Sequence, residues 1–431
     1  MAAASAMLSR DVKLLFLLRL SRMCAYGGTT LILSLFLSAL GNSDARIGIF
    51  MTTTLIGDVV VSMFTSIVAD GLGRRRMLAI GSILMSLSGI IFALCEDFWI
   101  LVVASIIGVI SPSGGDTGPF KAIEESILAD LLPTEKLSAT LAWYYMFGSW
   151  GAALGLVSSG WLVQTLQNHR MATRDSYRAV FWLYAAIGLL KTSLALMMSD
   201  HCETGTATDL PELSTEDYPQ DETRPLLQSH KRPMMCASSI SLETRQFLLK
   251  FGSIIIFDNI GTGLATDSWL TYFVSRKFSS SSGTLLGSIF STCSLIVSVS
   301  NILAIPLVSR IGIIPTMLVG HFLASVALGL LPFPNQLPGA VSLLAMRAIF
   351  LDFDQAPRQT FLAQSVPSEQ RTFAMGVINM IRTLAQSGGP IITGYLSHVG
   401  KLGWAFVLAG GFKWVYDLLL LVMFLERPSK S

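Results

Sequence analysis

Apolar runs long enough to cross a bilayer recur from one end of this chain to the other, and no other feature limits its fold as strongly. A helix needs about 20 apolar residues to traverse the hydrocarbon core. Such runs stand at 13–40, 46–69, 77–95, 98–130, 138–164, 178–199, 245–274, 283–308, 313–332, 337–364, 372–396 and 403–425. They are continuous and not strictly alternating, which marks helix and not barrel strand. Only helices and closed barrels satisfy their backbone hydrogen bonds in lipid. Charged residues are 13% of the 431, about half the ~25% of soluble domains, so lipid is the expected solvent. The expectation is an all-α membrane protein with twelve transmembrane helices. The fourth run is long for one span, and Ser111-Pro112-Ser113-Gly114-Gly115 within it is expected to kink or unwind it.

The polar segments add topology. Basic residues mark the cytosolic side of a membrane protein. Arg74-Arg75-Arg76 follows the second span, and Arg10, Lys13, Arg310, Arg371, Arg427 and Lys430 fall on the same side under an even count. Both termini are therefore expected in the cytosol, with Arg170, Arg174 and Arg178 as one discordant loop on the other side. Residues 199–244 are polar and aperiodic, and read as a cytosolic disordered linker. It separates an N-terminal six-helix bundle, 1–198, from a C-terminal one, 245–431. Cys24, Cys95, Cys202, Cys236 and Cys293 have no metal-ligand or pairing spacing and read as free thiols. The net charge of +2 gives no reason to expect nucleic acid, and the first apolar run is long enough to span, so no cleaved signal peptide is expected.

The halves resemble each other. Gly73 and Gly312 follow the second and eighth spans, 239 residues apart; Pro133-Thr134-Glu135 and Pro367-Ser368-Glu369 follow the fourth and tenth, 234 apart. A duplicated six-helix unit follows, with two pseudo-symmetric bundles working by alternating access. The sharpest local signal is Ser66-Ile67-Val68-Ala69-Asp70-Gly71-Leu72-Gly73-Arg74-Arg75-Arg76. It resembles the loop signature of the major facilitator superfamily, Gly-x-x-x-Asp-x-x-Gly-Arg-Arg, with Ser66 in place of the first glycine. The resemblance implies that Asp70, Gly73, Arg74 and Arg75 form a cytosolic latch, Asp70 pairing with arginines and the start of span eleven. The competing reading makes the arginines topology determinants only. The second half lacks the arginine pair after Gly312, unlike sugar porters. Gly148, Gly151, Gly155 and Gly160 are spaced for helix packing, but the Gly-Pro of the antiporter signature is displaced to Gly388-Gly389-Pro390 in span eleven. The branch resembles fungal drug-exporter-like members.

Charges inside spans cost about 2.5–3.5 kcal/mol each on insertion scales and are functional candidates by default. Asp58, Lys121, Glu124, Glu125, Asp354 and Arg358 are the candidates for proton coupling or gating. Lys121 shares a helix face with Glu124 and Glu125, and Asp354 with Arg358. The 234-residue offset carries Glu124 onto Arg358, so these two are expected to meet across the halves, with Glu125, as a gate or relay. The competing reading places these charges in water beyond the bilayer; for Arg19 and Arg22 it is snorkelling. Tyr26, Tyr145, Trp269, Arg347, Asn379, Arg382 and Gln386 are the candidates for a substrate cavity, the last three from a polar stripe at helical spacing. The tyrosines and tryptophan read equally as interfacial anchors. The histidines read as scattered and mostly near loops.

Glu222-Thr223-Arg224-Pro225-Leu226-Leu227 resembles an acidic dileucine sorting signal of vacuolar and lysosomal membrane proteins. The functional expectation is a secondary transporter and not an enzyme. It is a monomer in the lipid bilayer of the plasma membrane or a vacuolar/lysosomal membrane. It moves a small-molecule substrate by proton-coupled efflux or compartment transport, with no cofactor beyond the proton gradient and no metal. The alternatives are a facilitative uniporter and a non-transporting receptor or scaffold on the same fold.

Overall fold

A computed structural model of the chain describes residues 9–108, 110, 112–113, 119–199, 202–203, 241–278, 281–354, 357–358, 361–362, 365–367 and 370–424, with backbone only at 66–71, 119, 134–135, 138, 301–306, 309 and 371–373. The dileucine hexapeptide, most of the linker and the Asp70 side chain lie outside the described residues. Among the described residues the helices run in order: α1 Arg10–Ala39, α2 Asp44–Leu72, α3 Arg74–Leu94, α4 Phe98–Ile107, α5 Pro119–Leu131, α6 Thr134–Asn168, α7 Thr173–Leu196, α8 Leu242–Leu264, α9 Asp267–Lys277, α10 Gly283–Ile311, α11 Ile313–Leu330, α12 Leu337–Phe350, α13 Arg371–Ser387, α14 Gly389–His398 and α15 Leu402–Phe424. Among the described residues nine of them are long and apolar enough to cross a membrane. The other three crossings are interrupted: α4 with α5, α12 with the segment after it, and α13 with α14. Twelve spans result, in two pseudo-symmetric bundles, α1–α7 and α8–α15.

Local chemistry sets the helix ends. Ser9, Ser241 and Ser282 each accept a hydrogen bond from a first-turn amide, and the Asp97 carboxylate accepts two, from Trp99 and Ile100. Each cap contributes about 0.5–2 kcal/mol. Gly73 (φ 92°) and Gly312 (φ 90°) make the same left-handed turn, one before α3 and the other before α11. The repeat visible in the sequence is thus a repeat of backbone conformation that only glycine adopts without strain. The fourth span breaks as expected, ending at Gly108 and resuming at Pro119, although Ser111, Gly114 and Gly115 lie outside the described residues. The seventh was expected to be continuous over 245–274, and it is not: Ala265 and Thr266 separate α8 from α9. Carbonyls freed at these breaks find partners, as a membrane interior requires. Leu264 accepts from the Thr393 hydroxyl (2.7 Å) and Gly108 from the Tyr184 hydroxyl (3.0 Å).

The discordant loop has a structural account. Arg174 and Arg178 both reach Glu96 at 2.6 Å, and Arg178 also reaches Asp175 at 3.0 Å, so carboxylates on the same face hold these charges.

The bundles join toward the face opposite the chain's ends. Among the described residues, the hydrogen bonds linking them fall between mid-membrane and that face. Ser268 donates to the Thr30 carbonyl (3.0 Å), Ser34 to the Ser268 carbonyl (3.0 Å), and the Ile391 amide to Thr52 (3.1 Å). Gly160 of α6 approaches Gly283 and Gly287 of α10 backbone to backbone, and Gly48 of α2 meets Pro390 and Gly394 of α14. Asp44, at the start of α2, accepts from three groups of the other half: the Tyr272 hydroxyl (2.6 Å), Arg276 (2.8 Å) and the Ser397 hydroxyl (2.6 Å). On the side of the chain's ends, Arg74–Asp130, Arg75–Leu196, Asp11–Ser199 and Ser241–Gln370 all stay within one half. The space between the bundles therefore opens toward the terminal face.

Asp44→Asn is expected to loosen the closed face. A hydrogen bond to a charged group contributes about 1.5–3 kcal/mol, so Ser268→Cys, buried in the closure, should react with a membrane-impermeant maleimide roughly tenfold faster in the Asp44→Asn background. An unchanged rate would show that Asp44 does not hold the halves together.

Candidate functional site

Two buried ion networks flank the space between the bundles. In the N-terminal half, Arg22 of α1 holds Glu124 of α5 with both terminal nitrogens, at 2.5 and 2.9 Å, and both side chains are 0% exposed. The Tyr144 hydroxyl donates to the second carboxylate oxygen at 2.5 Å. Arg19 lies over the Tyr144 ring (4.7 Å) and Arg22 over Phe120 (5.4 Å). A bidentate guanidinium–carboxylate pair with a third donor satisfies most of what a buried carboxylate demands.

In the C-terminal half the polarity is reversed. Asp258 of α8 accepts from Lys413 (2.6 Å) and pairs with His321 Nε2 (3.0 Å) through one oxygen, and receives Arg358 (3.3 Å) on the other. His321 Nδ1 stands 2.7 Å from Asp417. Arg358 also reaches Asp354 at 3.2 Å, and Lys413 donates to Thr262 at 2.9 Å. The histidine ring packs edge-on against Tyr416, with centroids 5.1 Å apart.

The two networks occupy equivalent places. Arg22 and Asp258 are 236 residues apart and Glu124 and Arg358 are 234 apart, close to the repeat offset. The first and fourth spans of each half thus carry one ion pair, as Arg–Glu in the first half and Asp–Arg in the second. Glu124 and Arg358 were expected to meet across the halves; each is instead held by the first span of its own half. Lys121 reaches Glu125 at 3.8 Å and not Glu124, because Glu124 turns inward while Glu125 takes the Tyr145 hydroxyl at 2.9 Å beside the open space. Asp354 and Arg358 pair as their spacing implies. Arg22, Glu124, Asp354 and Arg358 are all buried within the protein, whereas Lys121 and Glu125 are partly exposed.

The cavity candidates divide. Tyr145, 41% exposed, and Asn379 face open space, and Arg382 and Gln386 are half-buried on α13. Tyr26 and Trp269 are fully enclosed, and so do not line the opening to the terminal face. Trp269 sits in the closure between the halves, edge-on to Tyr272 at 5.5 Å. Arg347 lies within electrostatic reach of Asp267, and Asp58, buried, within reach of Tyr26. Arg74 pairs with Asp130 and Arg75 donates to the Leu196 carbonyl (2.5 Å), fixing α3 to the ends of α5 and α7.

His321, Lys413, Asp417 and Lys191 of the core were not singled out from the sequence. His321, read as one of several scattered histidines, is at the centre of the second network. Lys413 and Asp417 complete it; their i,i+4 spacing inside the last apolar run was the available signal. Lys191 of α7 is 1% exposed, and among the described residues its ammonium meets only the Met85 sulfur (3.9 Å) and the Phe120 ring (4.2 Å).

Two six-helix bundles around a central space, open at one face and flanked by buried ion pairs, define a membrane transporter. The sequence model of the Major Facilitator Superfamily matches residues 15–351 and 247–431, and the chain belongs to that family. It is 34% identical over 429 residues to the uncharacterized membrane protein YJR124C of Saccharomyces cerevisiae, covering 98% of this chain and 96% of that one. A shorter match, 22% identical over 185 residues, is to the quinolone resistance protein NorA of Staphylococcus aureus and covers 43% of this chain and 44% of that one. Among solved structures, a bacterial homolog of the human lysosomal transporter Spinster in an inward-facing, unoccupied conformation superposes with a TM-score of 0.71 at 16% identity, covering 98% of each chain. That similarity shows the shared fold.

Proposed function

We propose that this transporter couples the movement of a small solute to protons, and that the network around His321 is where the proton binds. The observation that carries the reading is the position of His321, bridging the Asp258 and Asp417 carboxylates inside the membrane. Histidine is the side chain that changes charge near neutral pH. The groups facing it are Asp258 of α8, and Asp417, Lys413 and Tyr416 of α15; Arg358 and Asp354 act through Asp258. A proton added to or removed from this cluster changes how many cations Asp258 serves, and so whether Arg358 stays on it. Arg358 lies within electrostatic reach of Arg382, one of the cavity candidates, which links the proton to the cavity. Glu124 is a poorer carrier, since Arg22 and the Tyr144 hydroxyl already occupy both of its carboxylate oxygens.

Both termini are assigned to the cytosol on the strength of the basic residues that follow α2 and of Arg310 in the last turn of α10. The opening toward the terminal face is then inward, and solute and proton exchange across a plasma or vacuolar membrane. The chain acts as a monomer.

The test uses sealed vesicles enriched in the protein and incubated with a whole-cell metabolite extract. Accumulated compounds are read by mass spectrometry with and without an imposed pH gradient. Accumulation should follow the gradient and collapse with a protonophore. His321→Gln should lose the gradient dependence while retaining solute exchange at equal pH. Accumulation indifferent to the gradient would mean facilitated uniport.

A further inference from the structure

We infer that the central space is an anion site, and that the solute carried is a small organic carboxylate held between Arg382 of α13 and Lys121 of α5. The inference rests on the transporter reading above and names the class of its substrate.

The argument begins with which cations are already used. Arg22 is spent on Glu124, and Arg358 on Asp258 and Asp354, at the distances given above. Lys413 is spent on Asp258. Arg382 differs. Among the described residues it has no carboxylate within ion-pair distance and donates no hydrogen bond, and its Nε is buried from water without a partner. A guanidinium inside a membrane protein carries its charge permanently, and leaving it unmatched is expensive. Its position is the more demanding because Arg358 is its strongest electrostatic neighbour.

Lys121 belongs to the other half and lies within electrostatic reach of Arg382. Its own acidic contact is long, 3.8 Å to Glu125, whose oxygen is already taken by the Tyr145 hydroxyl. Arg19 and Arg22 lie within reach of the same ammonium. Arg382, Lys121, Arg19 and Arg22 therefore converge from both halves, and the carboxylates within their reach, Glu124, Glu125, Asp258 and Asp354, are already engaged by Arg22, the Tyr145 hydroxyl, Lys413 and Arg358. The two cations left with the weakest acidic contacts are Arg382, which has none within ion-pair distance among the described residues, and Lys121, at 3.8 Å from Glu125.

An anion placed between Arg382 and Lys121 would supply the missing partner. A carboxylate matches the planar fork of a guanidinium through two parallel hydrogen bonds. The Tyr145 ring, with the Lys121 ammonium 5.3 Å from its centroid, offers an apolar face for the rest of the solute, and Asn379 and Gln386 flank Arg382 along α13. Because Arg382 and Lys121 come from different halves, the same anion would draw the halves together, which is the step a solute must drive to be carried.

The experiment measures thermal stabilisation of the detergent-purified full chain by three compounds on one scaffold: phenylacetate, phenylacetamide and phenethylamine. The carboxylate should give its half-maximal shift at a concentration about tenfold below that of the amide, the gain expected of one charge-assisted hydrogen bond, and the amine should give none. In Arg382→Gln, measured against its own melting temperature, the preference for the carboxylate should vanish. Arg382→Lys should keep part of it. Stabilisation that favours the amine or is equal for all three, a preference that survives in Arg382→Gln, or no shift by the carboxylate would overturn the inference. The readout needs neither a membrane nor a proton gradient, so its failure would leave the proton-coupling test standing, and the converse also holds.

Discussion

Glu124→Ala should prevent the chain from accumulating as a folded protein. The substitution leaves the Arg22 guanidinium fully buried with its carboxylate gone, and breaking a buried pair from one side costs about 3–5 kcal/mol. The loss also strands the Tyr144 hydroxyl, which donates to the same carboxylate. That loss is a large fraction of a domain's whole margin, which is about 5–15 kcal/mol. The measurement is the monodisperse peak of a fluorescent fusion on size exclusion, followed by its melting temperature. The diagnostic comparison is the double replacement Arg22→Met with Glu124→Leu. Removing both partners of a buried pair is often neutral or stabilising, so the double variant should recover the peak that the single variant loses. A single variant as stable as the parent would mean that the pair is solvated, contrary to its enclosure.

Gly155→Val should be nearly as damaging, for a reason of shape alone. A Cβ at position 155 would lie 1.9 Å from the Cys24 carbonyl oxygen and 2.9 Å from the Gly28 amide nitrogen, so the obstruction is backbone on α1 and cannot turn aside. Small residues let helices approach closely in a membrane, where packing replaces the hydrophobic effect as the force between helices. Overpacking costs about 1–3 kcal/mol where side chains yield and should exceed that here. Gly411→Ala is the control: nothing lies within 4 Å of its added carbon, and removing a helical glycine gains up to about 1 kcal/mol. Loss of the folded peak for Gly155→Val beside retention for Gly411→Ala would establish the α1–α6 contact; equal stability of both would contradict it.

The spans were legible because lipid imposes a length on every crossing, and the pseudo-repeat was legible because its turns require glycine at Gly73 and Gly312. The breaks were only half legible. Pro and Gly announce the interruption in span four, whereas Ala265-Thr266 carries no such residue and Thr266 resembles any other helical threonine. The charged core was the hardest part. Sequence spacing reveals neighbours on one helix, such as Asp354 with Arg358. It is silent about partners far apart in the chain, and His321 meets Asp258 and Asp417 from positions 63 and 96 residues away. The repeat offset placed Glu124 and Arg358 in equivalent positions but was read as a contact between halves. Equivalent positions in two bundles related by an axis along the membrane normal need not touch, and here each finds its counter-ion on the first span of its own half.

The central proposal is that the arrangement described here, closed at one face and open at the terminal face, is one of two states, exchanged by rocking the bundles about the charged core under the control of a proton at His321. The direct test is a pair of spin-label distance measurements in a chain with Cys24, Cys95, Cys202, Cys236 and Cys293 replaced. One pair, Met171→Cys with Phe333→Cys, spans the halves at the closed face; the other, Ala129→Cys with Ile311→Cys, spans them at the terminal face. As pH is changed in lipid nanodiscs, the two distances should shift population in opposite directions, one lengthening as the other shortens, and His321→Gln should abolish the response. Two distances that stay fixed across pH, or that lengthen and shorten together, would contradict the account.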